Sequence, residues 1–278
     1  MPGPADSAAT VTARGVEVPA LGFGTARMDD YETQYRAVAA ALETGYRHLD
    51  TAQIYGSEPA VGDALADSDC DREDVFVTTK VAGEHETYDE VVDSVRGSLD
   101  DLGLETVDLF LLHWPVDDAD TEDRLRALND CRDDGLLDHV GISNFSVDGT
   151  REAETLSEAP ILTNQVEYHV GERRDDLLAY CLDEGVMLTA YSPLGVGDLL
   201  DDETLAAVAE RRDRRPAQVA IRWLLQQPQV STIPMSSSPA HIEENAAVFD
   251  FELTDEEMRE LFGVTGGLGD DLAARLGL

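Results

Sequence analysis

Lysine is almost missing from this sequence, because Lys80 is the only lysine and the other 19 of the 20 basic residues are arginines. Lysine is normally among the commonest residues of a soluble protein. The 20 basic residues face 58 aspartates and glutamates, which gives a formal net charge of −38 and an isoelectric point near 4.1. A surface this acidic repels nucleic acid and anionic lipid, so we expect neither as a partner.

Cysteine is also scarce, and Cys70, Cys131 and Cys181 lie far apart. This spacing excludes the usual disulfide framework and zinc knuckle, and the six histidines show no ligand spacing, so we expect no metal site. No apolar run approaches the roughly 18 residues that a membrane span needs. The first residues, MPGPADSAAT, lack the basic and apolar regions of a signal peptide. We therefore predict a cytoplasmic protein.

A charge this large is typical of disordered chains, but 42% of the residues are hydrophobic, which is enough for a sizeable core. We therefore expect a folded protein with its acidic groups on the surface. Mutual repulsion of these groups destabilises a compact state in dilute buffer, whereas at molar salt the Debye length falls to about 3 Å. The composition favours a salt-accumulating halophile, with an acidic protein of an ordinary organism as the alternative. The same repulsion favours a monomer.

Eight short apolar runs alternate with amphipathic stretches along the chain. The run 107–113, VDLFLLH, is apolar on consecutive positions, as is typical of a parallel strand covered on both faces. In 88–103, four apolar residues recur at helical spacing, namely Val91, Val95, Leu99 and Leu102. The predicted strands are 20–25, 47–52, 75–81, 107–113, 139–144, 162–168, 186–193 and 230–235.

Eight β-α units in one chain predict a (β/α)8 TIM barrel, which we assign to a single domain over residues 1–278. Residues 11–21 could form a hairpin with its turn at Arg14 and Gly15, plugging the barrel bottom. An open doubly wound sheet is the alternative. Its phosphate fingerprint is missing, because GFGTAR at 22–27 offers G-x-G without the third glycine.

Polar side chains follow the ends of the predicted strands, where the catalytic groups of a barrel lie. Asp50 and Tyr55 follow the second strand, Lys80 ends the third and His113 the fourth. An ammonium near a phenol favours the phenolate and so strengthens the phenol as a proton donor, and an aspartate keeps a buried lysine charged. A planar guanidinium cannot replace a compact ammonium in that place. We therefore interpret Lys80 as a catalytic residue that could not be exchanged; chance survival of one lysine is the alternative.

Six segments of the chain form a recognisable series: GYRHLDTAQIYGSEPAVG (45–62), LLHWP (111–115), GISNF (141–145), NQVEYH (164–169), AYSPLG (190–195) and IPMSSSPAHIEEN (233–245). In this order, over most of residues 11–262, they resemble the signature segments of the aldo-keto reductases, in particular the short-loop prokaryotic diketogluconate and aldehyde reductases. The resemblance implies a (β/α)8 barrel that binds a nicotinamide dinucleotide and reduces aldehydes and ketones. The family's catalytic tetrad falls on Asp50, Tyr55, Lys80 and His113.

The resemblance also implies the residues that hold the cofactor and the carbonyl substrate. Tyr191 would stack on the nicotinamide ring, and Ser143, Asn144 and Gln165 would bind its carboxamide. The other implied cofactor residues are Gly24, Thr25, Asp50, Ser192, Leu194, Met235, Ser236, Ser237, His241, Glu244 and Asn245. The expected substrate residues are Phe23, Met28, Tyr55, His113 and Trp114.

The sequence departs from the family where the 2′-phosphate of NADP is normally bound by a lysine and an arginine. Met235 and His241 stand in those places, while Ser236, Glu244 and Asn245 remain. Losing two charge-assisted contacts should erode a preference for NADP(H), so we expect NAD(H) to be usable as well.

Two other functions stay open at this point. An NAD-dependent sugar or alcohol dehydrogenase would use the same residues in the oxidative direction. A cofactor-binding redox sensor of the same fold would bind without turnover, although such a protein has no need of Tyr55. Small aldehydes, keto sugars and α-dicarbonyls are all candidate substrates at this point.

We predict that the thermal midpoint of unfolding, Tm, rises as KCl is increased from 0.1 to 3 M, because salt screens the repulsion among carboxylates. Each kcal/mol of relieved repulsion raises Tm by about 2–4 °C in a chain of this size. Scanning calorimetry over the salt series measures this, with sucrose as an uncharged control. A Tm that stays level or falls in KCl would contradict the halophile interpretation.

Overall fold

The computed structural model describes residues 9–83, 85, 87–116 and 118–278. The expectation about a signal peptide concerns mainly residues 1–8, which lie outside this range. Within it, no helix is both long and apolar enough to cross a membrane, and no group of three or more side chains is arranged to hold a metal ion.

The first two strands of the described residues form the hairpin that the sequence predicts. β1 (Thr10–Ala13) pairs antiparallel with β2 (Val16–Pro19). The two turn residues, Arg14 and Gly15, have φ values of 51° and 84°, the left-handed geometry that matches the twist of a hairpin. Its apolar side chains pack on the lower ends of later strands in one buried cluster that includes Val11, Val18, Leu109, Leu111 and Met187.

Eight parallel strands follow and form one sheet in chain order, which confirms the predicted barrel over the open alternative. The sheet closes through Leu21 and Thr232, which form a parallel bridge. Backbone bonds from Gly22 N to Thr232 O (2.9 Å) and from Gly24 N to Pro234 O (3.1 Å) extend this seam. The strands are β3 (Phe23–Gly24), β4 (His48–Asp50), β5 (Phe76–Val81), β6 (Val107–Leu112), β7 (Leu137–Ser143), β8 (Ile161–Glu167), β9 (Met187–Tyr191) and β10 (Val230–Thr232).

Helices surround the sheet. In α3 the predicted stripe Val91, Val95, Leu99 and Leu102 is buried, and a capping box between Thr87 and Glu90 begins the helix. The helices are α1 (Tyr31–Thr44), α2 (Glu58–Ala66), α3 (Tyr88–Leu102), α4 (Asp118–Asp133), α5 (Val147–Leu156), α6 (Asp175–Glu184), α7 (Glu203–Arg212), α8 (Pro216–Leu225), α9 (Pro239–Ala246), α10 (Asp255–Phe262) and α11 (Asp270–Leu276).

Several strands are shorter than predicted, for identifiable reasons. β10 ends at Thr232 and not at residue 235, because the following Pro234 has no N–H to donate to a ladder. β3 keeps only two residues, because the preceding Leu21 forms only an isolated bridge with Thr232. The polar residues converge at the carboxyl ends of the strands.

Candidate active site

The centre of the site is an ion pair buried between two neighbouring strands. Asp50 is the last residue of β4, and Lys80 lies near the end of β5; their side chains are 2% and 0% exposed. Lys80 Nζ donates to Asp50 Oδ1 at 2.5 Å and to the Thr51 carbonyl at 2.7 Å. Gln165 Nε2 donates to the other carboxylate oxygen, Asp50 Oδ2, at 2.6 Å. Both oxygens of this buried carboxylate are thus satisfied, as burial of a charge requires.

The surroundings decide the charge of Lys80. Burial by itself would lower the pKa of the ammonium. The charges of Asp50 and Tyr55, together with hydrogen bonds to both, outweigh burial and raise the pKa above its ordinary value. Lys80 is therefore an ammonium at neutral pH, as the sequence predicted from the pairing with an aspartate.

Tyr55 and His113 lie above this pair at the opening. Tyr55 ends the 3-10 helix Gln53–Tyr55, which stops at Gly56 in a left-handed conformation (φ 61°). Lys80 Nζ is 5.3 Å from the centroid of the Tyr55 ring. His113 follows β6, and its ring meets the Tyr55 ring edge-on with 5.8 Å between centroids. The four predicted tetrad residues are therefore neighbours.

His113 is uncharged in the folded protein. Burial, with a smaller contribution from the charge of Lys80, lowers the pKa of its imidazole to about 3. Its Nδ1 atom is buried and has no hydrogen-bond partner among the described residues. A neutral imidazole carries one donor and one acceptor nitrogen, so the ring can offer one N–H to the opening.

A cleft of about 560 Å³ opens above these residues, within the size range of small-molecule sites. Its wall extends from the catalytic groups past the Ser192–Gly197 stretch to Ile233, Pro234 and Met235. Most predicted site residues line it, namely Gly24, Thr25, Asp50, Tyr55, His113, Trp114, Ser143, Asn144, Gln165, Tyr191, Ser192, Leu194 and Met235.

One polar group links the far wall of the cleft to its base. Asn144 adopts a left-handed backbone (φ 67°), which asparagine tolerates better than most residues. Its Nδ2 donates to the His113 carbonyl at 3.0 Å, and its Oδ1 accepts from the Tyr191 hydroxyl at 2.9 Å. Ser143 Oγ donates to the Gln165 carbonyl at 2.8 Å. Hydroxyl and amide groups of this kind suit a carboxamide, which itself donates and accepts hydrogen bonds.

The expectation that Phe23 and Met28 line the substrate pocket is not met. Phe23 is 1% exposed and packs edge-on against Tyr46 in the core, with 5.8 Å between ring centroids. Met28 is buried in the same cluster. Strand alternation explains Phe23: Gly24 lines the cleft, so the neighbouring Phe23 faces the other side of the sheet, where its cluster includes apolar residues of α1.

The segment expected to bind the adenosine lies beyond the cleft. Ser236 Oγ accepts from Ser238 N at 3.1 Å, Ser237 and His241 are exposed, and Asn245 is buried. Both carboxylate oxygens of Glu244 accept from Arg215 Nη1, at 2.6 and 2.5 Å. Arg215 was not a predicted site residue, and an arginine in the run RRDRR carries no distinguishing signal in the sequence.

The sequence also gave no indication of a buried hydroxyl network beneath the cleft. Ser57 Oγ lies 2.9 Å from Thr25 Oγ1 and 2.8 Å from Thr51 Oγ1. Thr25 Oγ1 in turn donates to the Asp50 carbonyl at 3.2 Å. This network joins the ends of β3 and β4 and holds the Thr51 carbonyl that accepts from Lys80. Ser57 directly precedes α2, so its position predicts only a helix cap.

Comparisons with known proteins show the family to which this chain belongs. The model of the Aldo/keto reductase family matches residues 20–264. The chain belongs to the aldo/keto reductase family. A glyoxal reductase of Bacillus subtilis is 40% identical over 247 residues, which cover 89% of each chain. A solved structure of a candidate 2,5-diketo-D-gluconic acid reductase B superposes with a TM-score of 0.89 at 42% identity, over 94% of each chain.

A third relative bears on the cofactor. An aldo-keto reductase of Bombyx mori in complex with NADP superposes with a TM-score of 0.86 at 30% identity, over 92% of each chain. The protein is an oxidoreductase that reduces carbonyl compounds with NAD(P)H. The amide and hydroxyl groups around Asn144 and the half-buried Tyr191 ring fit such a cofactor.

We predict that His113 contributes to loss of stability in acid. The pKa is about 3 in the fold and near 6.5 in the unfolded chain, so between these values the unfolded state binds an extra proton. The contribution of the neutral imidazole to the free energy of unfolding is complete above pH 6.5 and is lost as the pH falls. Between pH 7 and 5 this amounts to about 2 kcal/mol.

The test is urea unfolding at pH 7 and pH 5 in constant KCl. The variant His113→Gln does not titrate, so its free energy of unfolding should fall less than that of the wild type by this amount. His241→Gln, at an exposed position, is the matched control. Equal falls for wild type and His113→Gln would show that the imidazole is not held neutral.

Proposed function

We propose that Tyr55 is the general acid of this carbonyl reductase. In this proposal Asp50 and Lys80 make its hydroxyl a better proton donor, and His113 orients the carbonyl group. The observation that carries the proposal is the arrangement at the base of the cleft. Tyr55 lines the opening, and the Lys80 ammonium lies behind its ring, held between Asp50 and the Thr51 carbonyl. No other described part of the cleft brings a phenol and an ammonium together.

Proton transfer from a phenol needs help at neutral pH, because the ordinary pKa of tyrosine is near 10. The positive charge of Lys80 favours the phenolate that remains after Tyr55 gives its proton to the carbonyl oxygen. Asp50 keeps the ammonium charged and fixes its position through one oxygen, while Gln165 holds the other. Bound NAD(P)H supplies the hydride that the carbonyl carbon receives.

His113 orients the carbonyl in this scheme. A neutral ring with its proton on Nε2 donates a hydrogen bond to the carbonyl oxygen without competing for the proton of Tyr55. The edge-on contact between the two rings aligns both groups on one point of the cleft. Ser143, Asn144 and Gln165 would hold the carboxamide of the nicotinamide, and Tyr191 its ring.

Coenzyme preference is the second part of the proposal. Met235 reaches the cleft but has no charge, and His241 is exposed on α9. The guanidinium of Arg215 lies close by but is paired with Glu244. With no lysine available in this segment, we infer that the enzyme can use NADH in addition to NADPH. This also keeps an NAD-dependent dehydrogenase, oxidising a sugar or alcohol, as the second candidate function.

We further infer that the enzyme works as a monomer in a salt-rich cytoplasm. The support is the net charge of −38 and the loss of every lysine except the one buried in the ion pair with Asp50. A repelling surface of this kind disfavours self-association at low salt. Its small-molecule partners are the coenzyme and a carbonyl compound.

We predict that Tyr55→Phe lowers kcat for aldehyde reduction by about 10²- to 10⁴-fold, the usual loss when a general acid is removed. Coenzyme affinity should change little, because the substitution removes only the hydroxyl. The measurement is coenzyme absorbance at high KCl for turnover and quenching of tryptophan fluorescence for binding. Tyr35→Phe is the matched control, since that hydroxyl bonds Asp67 on the surface, away from the cleft.

Three results separate the candidate functions. Turnover by wild type and Tyr35→Phe but not by Tyr55→Phe supports the general acid. Wild type that binds coenzyme but reduces no aldehyde would indicate a sensor. Faster oxidation of alcohols with NAD⁺ than reduction of the matching aldehydes would favour the dehydrogenase.

We predict that the ratio of kcat/KM for NADPH to that for NADH stays below about a thousandfold, some 4 kcal/mol. Met235→Lys combined with His241→Arg should tilt kcat/KM and Kd towards NADPH, because both add a charge for a 2′-phosphate. Leu200→Lys is the control for added positive charge, as Leu200 is exposed outside the cleft lining. A larger NADPH advantage in the wild type would overturn the inference, and would point to Arg215 as a substitute cation.

A further inference from the structure

Tyr55 lies on a short turn of the chain, residues 52–56, which we call the Tyr55 turn. Its backbone bonds run from Tyr55 N to the Ala52 carbonyl at 3.0 Å and from Gly56 N to the Gln53 carbonyl at 3.1 Å. Such 3-10 turns have poor hydrogen-bond geometry and occur only as short pieces. Ile54, in the middle of the turn, is 54% exposed, so its side chain does little to anchor it. The position of the Tyr55 hydroxyl therefore depends on bonds between the turn and its surroundings.

The side chain of Gln53 provides such bonds at the start of the turn. Its Oε1 accepts from the Ala82 backbone N–H at 3.0 Å and from the Ser94 hydroxyl at 2.7 Å. Its Nε2 donates to the Ser94 carbonyl at 2.9 Å. The orientation of the amide is unambiguous, because a backbone N–H can only donate and a carbonyl can only accept. Ala82 and Ser94 are 3% and 6% exposed, so removal of the amide would leave buried polar groups without partners.

These bonds join the Tyr55 turn to the strand that carries Lys80. Ala82 directly follows β5 and lies two residues after Lys80. Ser94 belongs to α3 and adds a third element to the junction. One amide thus connects the part of the chain that bears the phenol with the part that bears the ammonium. The 5.3 Å between Lys80 Nζ and the centroid of the Tyr55 ring spans this junction.

A second anchor lies at the other end of the turn, at Ser57. This residue occupies the N-cap of α2, where a serine hydroxyl usually accepts from the helix, but it makes no such bond with the described residues. Its hydroxyl instead meets those of Thr25 and Thr51 at 2.9 and 2.8 Å. Because Thr25 gives its one hydroxyl proton to the Asp50 carbonyl, the protons run from Thr51 to Ser57 to Thr25. This end of the turn is therefore fixed to β3 and β4, which leaves the other end to Gln53.

We propose that Gln53 is a positioning residue, whose amide sets the distance between the Tyr55 phenol and the Lys80 ammonium by joining the turn to the end of β5. Gln53 is not among the described residues that line the cleft, so it acts through Tyr55. The proposal rests on the proposed function, because it requires that the ammonium assists proton donation. Displacement of a catalytic group by about 1 Å can cost about a hundredfold in rate.

The first experiment uses Gln53→Met, which keeps the length of the side chain but lacks the amide. With butanal and NADPH at high KCl, kcat should fall about 10- to 100-fold, because the turn is released from β5. Kd for NADPH should stay within about twofold. The loss of kcat at alkaline pH should move upwards by about half a pH unit, since an ammonium about 1 Å further away favours the phenolate less. The titratable groups around Tyr55 remain in place, namely Lys80 with its partner Asp50, His113 and Tyr191.

Gln226→Met is the matched control. The Gln226 amide is also half-buried and also bonds a backbone N–H and a carbonyl, both of Leu253, at 2.6 and 3.0 Å, but it does not line the cleft. Both variants should lower Tm, whereas only Gln53→Met should change kcat and its alkaline fall. An unchanged kcat, an unmoved alkaline fall, or equal losses in the control would overturn the proposal. Should Gln53→Met not fold, Gln53→Asn replaces it, because its amide is one methylene too short to span Ala82 and Ser94.

A second experiment observes Tyr55 without turnover, which separates this proposal from the function on which it rests. The Cζ atoms of the eight tyrosines are labelled with ¹³C in the full chain, and the Tyr55 signal is assigned by its loss in Tyr55→Phe. The midpoint of its NMR titration should lie about half a pH unit higher in Gln53→Met than in wild type or Gln226→Met. If the wild type reduces no aldehyde, the proposed function fails and this titration alone decides: a higher midpoint supports the positioning role, and an equal or lower one overturns it.

Discussion

The candidate active site depends on one buried ion pair, Asp50 with Lys80. Taking two charges out of water is costly, and the cost is offset only if geometry is close and the remaining polar groups are satisfied. Here Gln165 and the Thr51 carbonyl complete the coordination from β8 and from the residue after β4. The pair therefore joins three strands at one end of the barrel. Its position puts the ammonium 5.3 Å from the centroid of the Tyr55 ring.

The fold positions this ion pair by bringing the carboxyl ends of the strands together. The seam between β3 and β10 closes the sheet, and Gly24 lies so near the Ile233 carbonyl that no side chain fits there. The hairpin covers the opposite end with apolar residues. Below the catalytic layer, the hydroxyls of Thr25, Ser57 and Thr51 connect β3 to β4. Rigid surroundings of this kind hold catalytic groups in position without further cost during reaction.

Charged side chains are paired in different ways on the surface and in the interior of the protein. On the surface, arginines pair with some of the many carboxylates, for example Arg215 with Glu244 and Arg275 with Asp183. Inside, the single lysine is paired with Asp50, and we propose that its compact ammonium assists Tyr55. The cleft carries charges of both signs, because Arg27 and Glu167 line it together with apolar residues such as Ile54 and Trp114.

The amino-acid sequence by itself determined the barrel, because apolar runs and amphipathic stretches alternate eight times and each local pattern agrees with the same fold. It also indicated four candidate catalytic residues, Asp50, Tyr55, Lys80 and His113. The apolar pattern shows where each strand ends, and these four residue types together suit proton donation by a phenol. Only the tertiary structure decided which side chains line the cleft. Phe23 lies within the correct segment but faces the helices, whereas Ile54 and Val196 reach the cleft from a 3-10 helix and a strained turn. Side-chain direction at irregular strand ends depends on contacts far apart in the chain, such as Gly24 with Ile233, and these contacts have no local pattern.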